Sequence, residues 1–153
     1  AFSNTTGLKK FYLNTFFPSS GSSLNTIHAK DKLWNFTRKF ITGNLNKQFK
    51  SIEVITETLD NYCKRNNIKS IDILKIDTEG SEIEVLQGAE IILNNTDIIL
   101  VEVLENKNKF KIKYQNVMDI LEKKHNFKKI IEKKIWSIGT LSNIKAMDIL
   151  FKR

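Results

Sequence analysis

The chain has 153 residues and a mass of 17.7 kDa, one domain's worth and long enough to bury a core. Its 41% hydrophobic and 27% charged residues are an ordinary globular composition that excludes disorder, and no apolar run reaches the roughly 20 residues of a bilayer crossing. The net charge of +8 is uneven: +7 over residues 1–50, −8 over 51–105 and +9 over 106–153. The acidic middle would repel phosphate, so no nucleic-acid partner is expected and the basic flanks read as solvated lysines. No secretory leader opens the chain, and no membrane partner is expected. The only cysteine, Cys63, excludes an internal disulfide framework and fits a reducing, cytoplasmic setting. The chain begins at Ala1 without an initiator methionine, as expected of a piece of a longer protein.

In chain order, the first fifty residues hold seven of the ten phenylalanines with Tyr12 and Trp34, around a small-residue loop at 18–23. Leu8 to Phe17 is expected to form a β-hairpin arm, its aromatics packed over a sheet edge or an active site. Ile52 to Thr58 reads as a short strand, and Leu59 to Asn66 as a polar helix. Ile71 to Asp77 is an apolar, β-branched run of the kind covered on both faces in a parallel sheet. Ser81 and Glu84 are spaced as a capping box opening a helix from Glu82 to Leu93, with Val85, Leu86, Ala89, Ile92 and Leu93 on its apolar face. Gly88 within it costs about 1 kcal/mol against alanine, which predicts close packing on a neighbour.

Asp97 to Glu102 is a second buried strand ending in acid. Tyr114 to His125 reads as an amphipathic helix with Asn126 capping its C-terminus. Phe127–Glu132 and Ala146–Phe151, with Asp148 inside the latter, are two strands joined by a loop around Gly139. This alternation predicts one α/β domain over 1–153, an arm (1–50) followed by an α/β portion (51–153), with a largely parallel sheet and a final antiparallel strand.

Candidate chemistry gathers where strand Ile71–Asp77 meets the next helix, since open α/β sheets bind ligands outside the carboxyl ends of their strands. Asp77 ends the strand and opens the acidic turn. Glu79 and Glu82 open a helix, where the dipole favours carboxylates. Glu102, ending the neighbouring strand, reaches the same cleft. Lys75, inside an apolar strand, is expected to be buried and paired with a carboxylate. Gly80 suits a tight turn. Asp77, Glu79 and Glu82 also suit magnesium or calcium as oxygen ligands, although His28 and His125 lie far from them in sequence. His125 reads as a surface residue, and Cys63 as inert.

The run from Ser51 to Val103 resembles the FkbM family of S-adenosylmethionine-dependent methyltransferases. The resemblance rests on Thr58-Leu59-Asp60, on Leu74-Lys75-Ile76-Asp77-Thr78-Glu79-Gly80-Ser81-Glu82, on Val85-Leu86 and Gly88-Ala89, and on Val101-Glu102. It implies a Rossmann-like class I methyltransferase sheet ordered 3-2-1-4-5-7-6, here truncated to strands 4-5-7-6 plus the N-terminal β-hairpin arm. Glycines at 7, 21, 43, 80, 88 and 139 leave no G-x-G turn for the cofactor's amino-acid end. By this resemblance Asp77, Glu79 and Glu102 are catalytic; Ala1, Ser3, Asp77 and Gly80 face S-adenosylmethionine; and Lys75 and Glu82 face the acceptor, a hydroxyl of a small molecule or glycan. No resident metal is implied. The competing expectations are a non-catalytic remnant that binds protein or glycan and a metal-dependent hydrolase. A missing neighbour for Ile71–Asp77 would leave a strand edge open to self-association.

Overall fold

A computed structural model describes residues 1–14, 22–24, 49–135 and 144–153. In chain order the elements are β1 (Gly7–Asn14), β2 (Phe49–Thr56), α1 (Leu59–Arg65), β3 (Ile71–Ile76), α2 (Glu82–Gln87), a 3₁₀ turn (Ile92–Asn95) and β4 (Thr96–Asn106). Then come α3 (Lys107–Met118), which runs on as a π-helical turn (Asp119–Lys124), β5 (Lys128–Ile135) and β6 (Ile144–Lys152). The residues 15–21 and 25–48, which include most of the expected small-residue loop, His28 and Trp34, lie outside the described residues, as does the loop around Gly139.

β1 pairs antiparallel with β2 from Gly7–Thr56 to Asn14–Phe49, as a two-stranded sheet of its own. Along its length β1 thus pairs with a strand that begins at residue 49, and Tyr12 also bridges Ser23 antiparallel; residues 15–17 of the expected arm lie outside the described residues. Ahead of β1, Phe2 bridges Glu57 in parallel, with the Ser3 N–H donating to the Glu57 carbonyl at 3.0 Å. The second sheet has the order β3-β4-β6-β5, with β3 parallel to β4 and β6 antiparallel to both its neighbours. Because β6 lies between β4 and β5, the sheet is mixed by pairing rather than largely parallel.

Strand alternation sorts this sheet into two unlike faces. Ile99, Val101 and Val103 of β4 and Met147, Ile149 and Phe151 of β6 point to one face, where Val85, Leu86, Leu93, Phe110, Val117 and Leu121 of the helical layer bury them. The alternate residues, Ile98, Leu100 and Glu102 with Asp148 and Leu150, stay half-exposed, and Ile73 and Ile131 at the flanks are exposed. Among the described residues no helix is long and apolar enough to cross a membrane.

The helix expected from Glu82 to Leu93 stops at Gln87, although all five of its expected apolar-face residues are buried. The cause is a backbone crossing at Gly88, where a β-carbon would sit 2.2 Å from the Ser3 carbonyl oxygen. Asp60 braces the interruption: its N–H donates to the Gly88 carbonyl at 2.9 Å, and its carboxylate accepts the N–H groups of Ile91 and Ile92. Thr58 caps α1 by accepting the Asn61 N–H at 3.1 Å. α3 begins at Lys107 rather than at Tyr114, because Phe110 and Lys113 extend the buried stripe upstream. Asn126 ends the helical run with φ +58°, as expected. His125 is buried instead of lying on the surface, with Nδ1 3.0 Å from the Asn94 side-chain oxygen, and burial holds its pKa below the ordinary histidine range.

Gly88→Ala should therefore destabilise the fold by roughly 1–3 kcal/mol, because Ser3 and the chain around it must retreat. Gln87→Ala, which removes only an exposed side-chain bond with Asn4, should leave the thermal midpoint nearly unchanged. Equal midpoints for the two variants would contradict the close approach at Gly88.

Candidate active site

The turn leaving β3 carries two consecutive residues in the left-handed region, Glu79 at φ +53° and Gly80 at φ +113°. Glycine adopts this backbone freely, whereas glutamate adopts it only where the surroundings over-determine it. The determinant is Glu82. Its Oε1 accepts the Gly80 N–H at 2.6 Å and the Thr78 hydroxyl at 3.1 Å, while its Oε2 lies 2.7 Å from Lys113 Nζ. Lys113 Nζ in turn donates to the Gly80 carbonyl at 2.6 Å and the Leu104 carbonyl at 2.9 Å. Both ions are buried, Glu82 completely.

Three expectations are corrected by this arrangement. Glu82 cannot meet a substrate, because no part of it reaches solvent and both its oxygens serve the turn and Lys113. Gly80 offers no backbone group to a cofactor, since its N–H and carbonyl are held by the same pair. Ser81 occupies the N-cap of α2 but makes no side-chain cap bond, so no capping box forms.

The residues left facing outward are carboxylates. Asp77, just past β3, falls beside Glu102 on β4, because Ile76 before it is level with Val101. Half-burial, then the nearby Asp77, Glu79 and Asp148 charges, push the Glu102 carboxyl up to about 7. Lys75 pairs with Asp77 at 2.9 Å, the carboxylate partner expected for it, but it is 59% exposed. The expected burial fails because, among the described residues, β3 borders the sheet and Lys75 projects from the face opposite the helical layer.

A cavity of about 250 Å³ opens beside Asp77, bounded by Ala1, Phe2 and Phe11 on one side and by Ser22, Ser23, Leu24, Thr78 and Ser81 on the other. The Ser23 hydroxyl donates to the Thr78 carbonyl at 3.0 Å, and Ser23 and Tyr12 exchange backbone bonds, which is how β1 is brought to the turn. Ala1 thus lines this cavity. Ser3 is buried against Gly88, with its hydroxyl accepting from Lys9 Nζ at 2.6 Å. Among the described residues no three histidine, cysteine or acidic side chains gather to hold a metal ion. Cys63 is buried, and burial pushes its thiol above the ordinary range.

Sequence reasoning missed Lys113 and Asp148 as parts of this region. Lys113 carried a signal: with Phe110, Val117 and Leu121 it completes a 3-4-4 spacing, a charged residue at a core position of a helix. Asp148 interrupts an apolar strand directly opposite Glu102, a register that sequence does not disclose.

Two measurements test these assignments. Lys113→Met should destabilise the chain by roughly 3–5 kcal/mol, since it strands a buried carboxylate. Adding Glu82→Leu should not restore stability, because the Thr78 and Gly80 donors then also lose their acceptor; full recovery in the double variant would reduce the pair to a dispensable contact. For Glu102, the folded carboxyl holds its proton up to about pH 7 whereas its ordinary value is 4.5. The chain therefore loses stability as pH rises from 4.5 to about 7, and Glu102→Gln should abolish that loss. The gap between the melting temperatures of Glu102→Gln and wild type should widen across this window and level off above it; a gap independent of pH would contradict the raised Glu102 value.

Residues 2–129 match the family model described as the methyltransferase FkbM domain. No curated protein and no solved structure matches the chain. The turn built from the Lys75–Glu82 run, the Asp60 contacts around Gly88 and the strand carrying Glu102 all lie within the matched span. The chain belongs to the FkbM methyltransferase family.

Proposed function

We propose that the chain forms the acceptor side of an S-adenosylmethionine-dependent O-methyltransferase that methylates a hydroxyl of a sugar or other secondary metabolite. The observation that carries this reading is Asp77 set beside Glu102, whose carboxyl is pushed up to about 7, at the cavity that Ala1 bounds. In this reading β3, β4, β6 and β5 stand for strands 4, 5, 7 and 6 of a Rossmann-like methyltransferase sheet, which their order and the antiparallel β6 support.

Asp77 is the base or orienting group. Lys75 Nζ donates to Asp77 at 2.9 Å, and Glu102, its carboxyl pushed up to about 7, lies beside it. A hydroxyl lying against Asp77 would surrender its proton there as its oxygen is alkylated. Glu79 adds negative potential at the same place. When bound, S-adenosylmethionine supplies a methyl group on a cationic sulfur, and the acidic row suits that charge. A cavity of about 250 Å³ falls below the roughly 300–1,000 Å³ of complete ligand sites, so the fit is to the reacting end of the cofactor, with Ala1 and Asp77 beside it. The single buried thiol supports a reducing, cytoplasmic setting.

Asp77→Asn should lower turnover by roughly 10²- to 10⁴-fold while leaving the thermal midpoint close to that of the wild type. Methylated product is read by mass across a panel of sugar hydroxyl acceptors supplied with S-adenosylmethionine. Wild-type turnover in Asp77→Asn would remove the dyad from the reaction.

A further inference from the structure

β5 borders the four-stranded sheet and is open to solvent along almost its whole length, every residue from Lys128 to Lys134 being exposed. A lone exposed isoleucine is ordinary, but two stand together here, Ile130 and Ile131, at 55% and 57% exposure. Ile130 falls at the slip in pairing between Lys129 and Ile131, where a bulge carries its extra residue out of the ladder. Ile131 lies directly opposite the half-exposed Leu150 of β6, on the face away from the helical layer. Lysines ring this apolar spot. On the same face Lys128 lies opposite Lys152, and Lys133 follows beyond Ile131 with Lys134 next to it. These four lysines make no ion pair among the described residues, whereas Lys129 is paired with Glu132. The acid level with the patch is Asp148, opposite Lys133.

We propose that this border of the sheet is a peripheral docking surface for a bilayer that carries anionic lipids: the lysines meet the headgroups, and Ile130 and Ile131 enter the interface between them. The charges complement each other, and long lysine stems let the ammonium groups stay with the headgroups while the apolar spot sinks below them. The unpaired backbone groups of the edge remain in the wet headgroup layer, where water satisfies them. Nucleic acid would use the lysines but leave the isoleucines idle, and the aromatic residue of these two strands, Phe151, is buried and offers no stacking surface. A second copy of this chain would bring a border of like charge against it. The lack of a leader and of a long apolar run bears on crossing a bilayer, whereas surface attachment needs only a small apolar spot in a basic ring. The order β3-β4-β6-β5 sets this border at the far side of the sheet from β3, so a docked chain keeps the Asp77 turn and its cavity open to solution. Docking is therefore independent of the methyl-transfer reading.

The test is co-sedimentation of the whole chain with vesicles of phosphatidylcholine alone and of phosphatidylcholine mixed with phosphatidylserine, with the thermal midpoint of each variant measured alongside. The chain should sediment with the mixed vesicles and not with phosphatidylcholine alone, and added salt should weaken the binding. Lys128→Glu combined with Lys133→Glu should lower the partition coefficient roughly tenfold or more. Ile130→Ser combined with Ile131→Ser, which changes no charge, should lower it roughly tenfold. All four positions are exposed, so the thermal midpoints should stay close to that of the wild type. Lys64→Glu combined with Lys69→Glu removes as much positive charge from exposed positions outside the patch and should leave binding nearly unchanged. Should either patch pair fail to fold, the other decides. Failure to sediment with the mixed vesicles, equal binding to phosphatidylcholine alone, equal weakening by the control pair, or binding untouched by the isoleucine pair each overturns the proposal. Tight binding of a single-stranded oligonucleotide, lost in the lysine pair and kept in the isoleucine pair, would overturn it in favour of nucleic acid.

Discussion

The contact between Glu82 and Lys113 is the constraint on which the site depends. Removing two ions from water is expensive, and a bare buried pair is often no better than two apolar side chains of the same size. Here the ions do more than neutralise each other. Glu82 takes the Gly80 amide and the Thr78 hydroxyl, and Lys113 takes the Gly80 and Leu104 carbonyls, so one pair satisfies polar groups from the turn after β3 and from β4. It thereby ties the start of α2 to α3 and holds the left-handed backbone of Glu79 and Gly80. The position of Asp77 is a consequence of that anchoring, since Thr78, the next residue, is held from both sides, by Glu82 and by Ser23.

Much of the family signature in this chain is scaffold rather than chemistry. Thr58 caps a helix, Leu59 enters the core, and Asp60 accepts the first amides of the segment that follows Gly88. Gly88 admits the Ser3 carbonyl, and Gly80 and Glu82 make the turn. What remains for the solvent to meet is Asp77 with Lys75, and Glu102 half-covered beside them. A short motif can therefore be dense in fixed residues while only two or three of them meet a ligand.

The sequence made the strands, the acidic turn and the buried apolar set legible because each depends on local periodicity. Val85, Leu86, Ala89, Ile92 and Leu93 are all buried, although the helix expected to carry them is broken, because burial follows side-chain spacing whereas continuity depends on what crosses at Gly88. The failures share a cause of the opposite kind. That Glu82 is internal, that Lys75 is exposed, and that β1 pairs with residues 49–56 are set by partners distant in the chain, such as Lys113, or by the side of a strand that faces away from the described helices. Carboxylates at a strand's end were recognisable as a candidate site; which of them would turn inward was not.

The two borders of the four-stranded sheet are not equivalent. β5 closes one border with Lys128, Lys129, Lys133 and Lys134, and its pairing slips between Lys129 and Ile131, so it is a poor template for another strand. β3 closes the other border with a regular, apolar run and no irregularity in its ladder. Among the described residues, growth of the sheet is thus one-sided. A strand that joins it is directed to the flank of β3 and runs alongside the turn that presents Asp77, so that enlarging the sheet and walling in that turn are the same structural event.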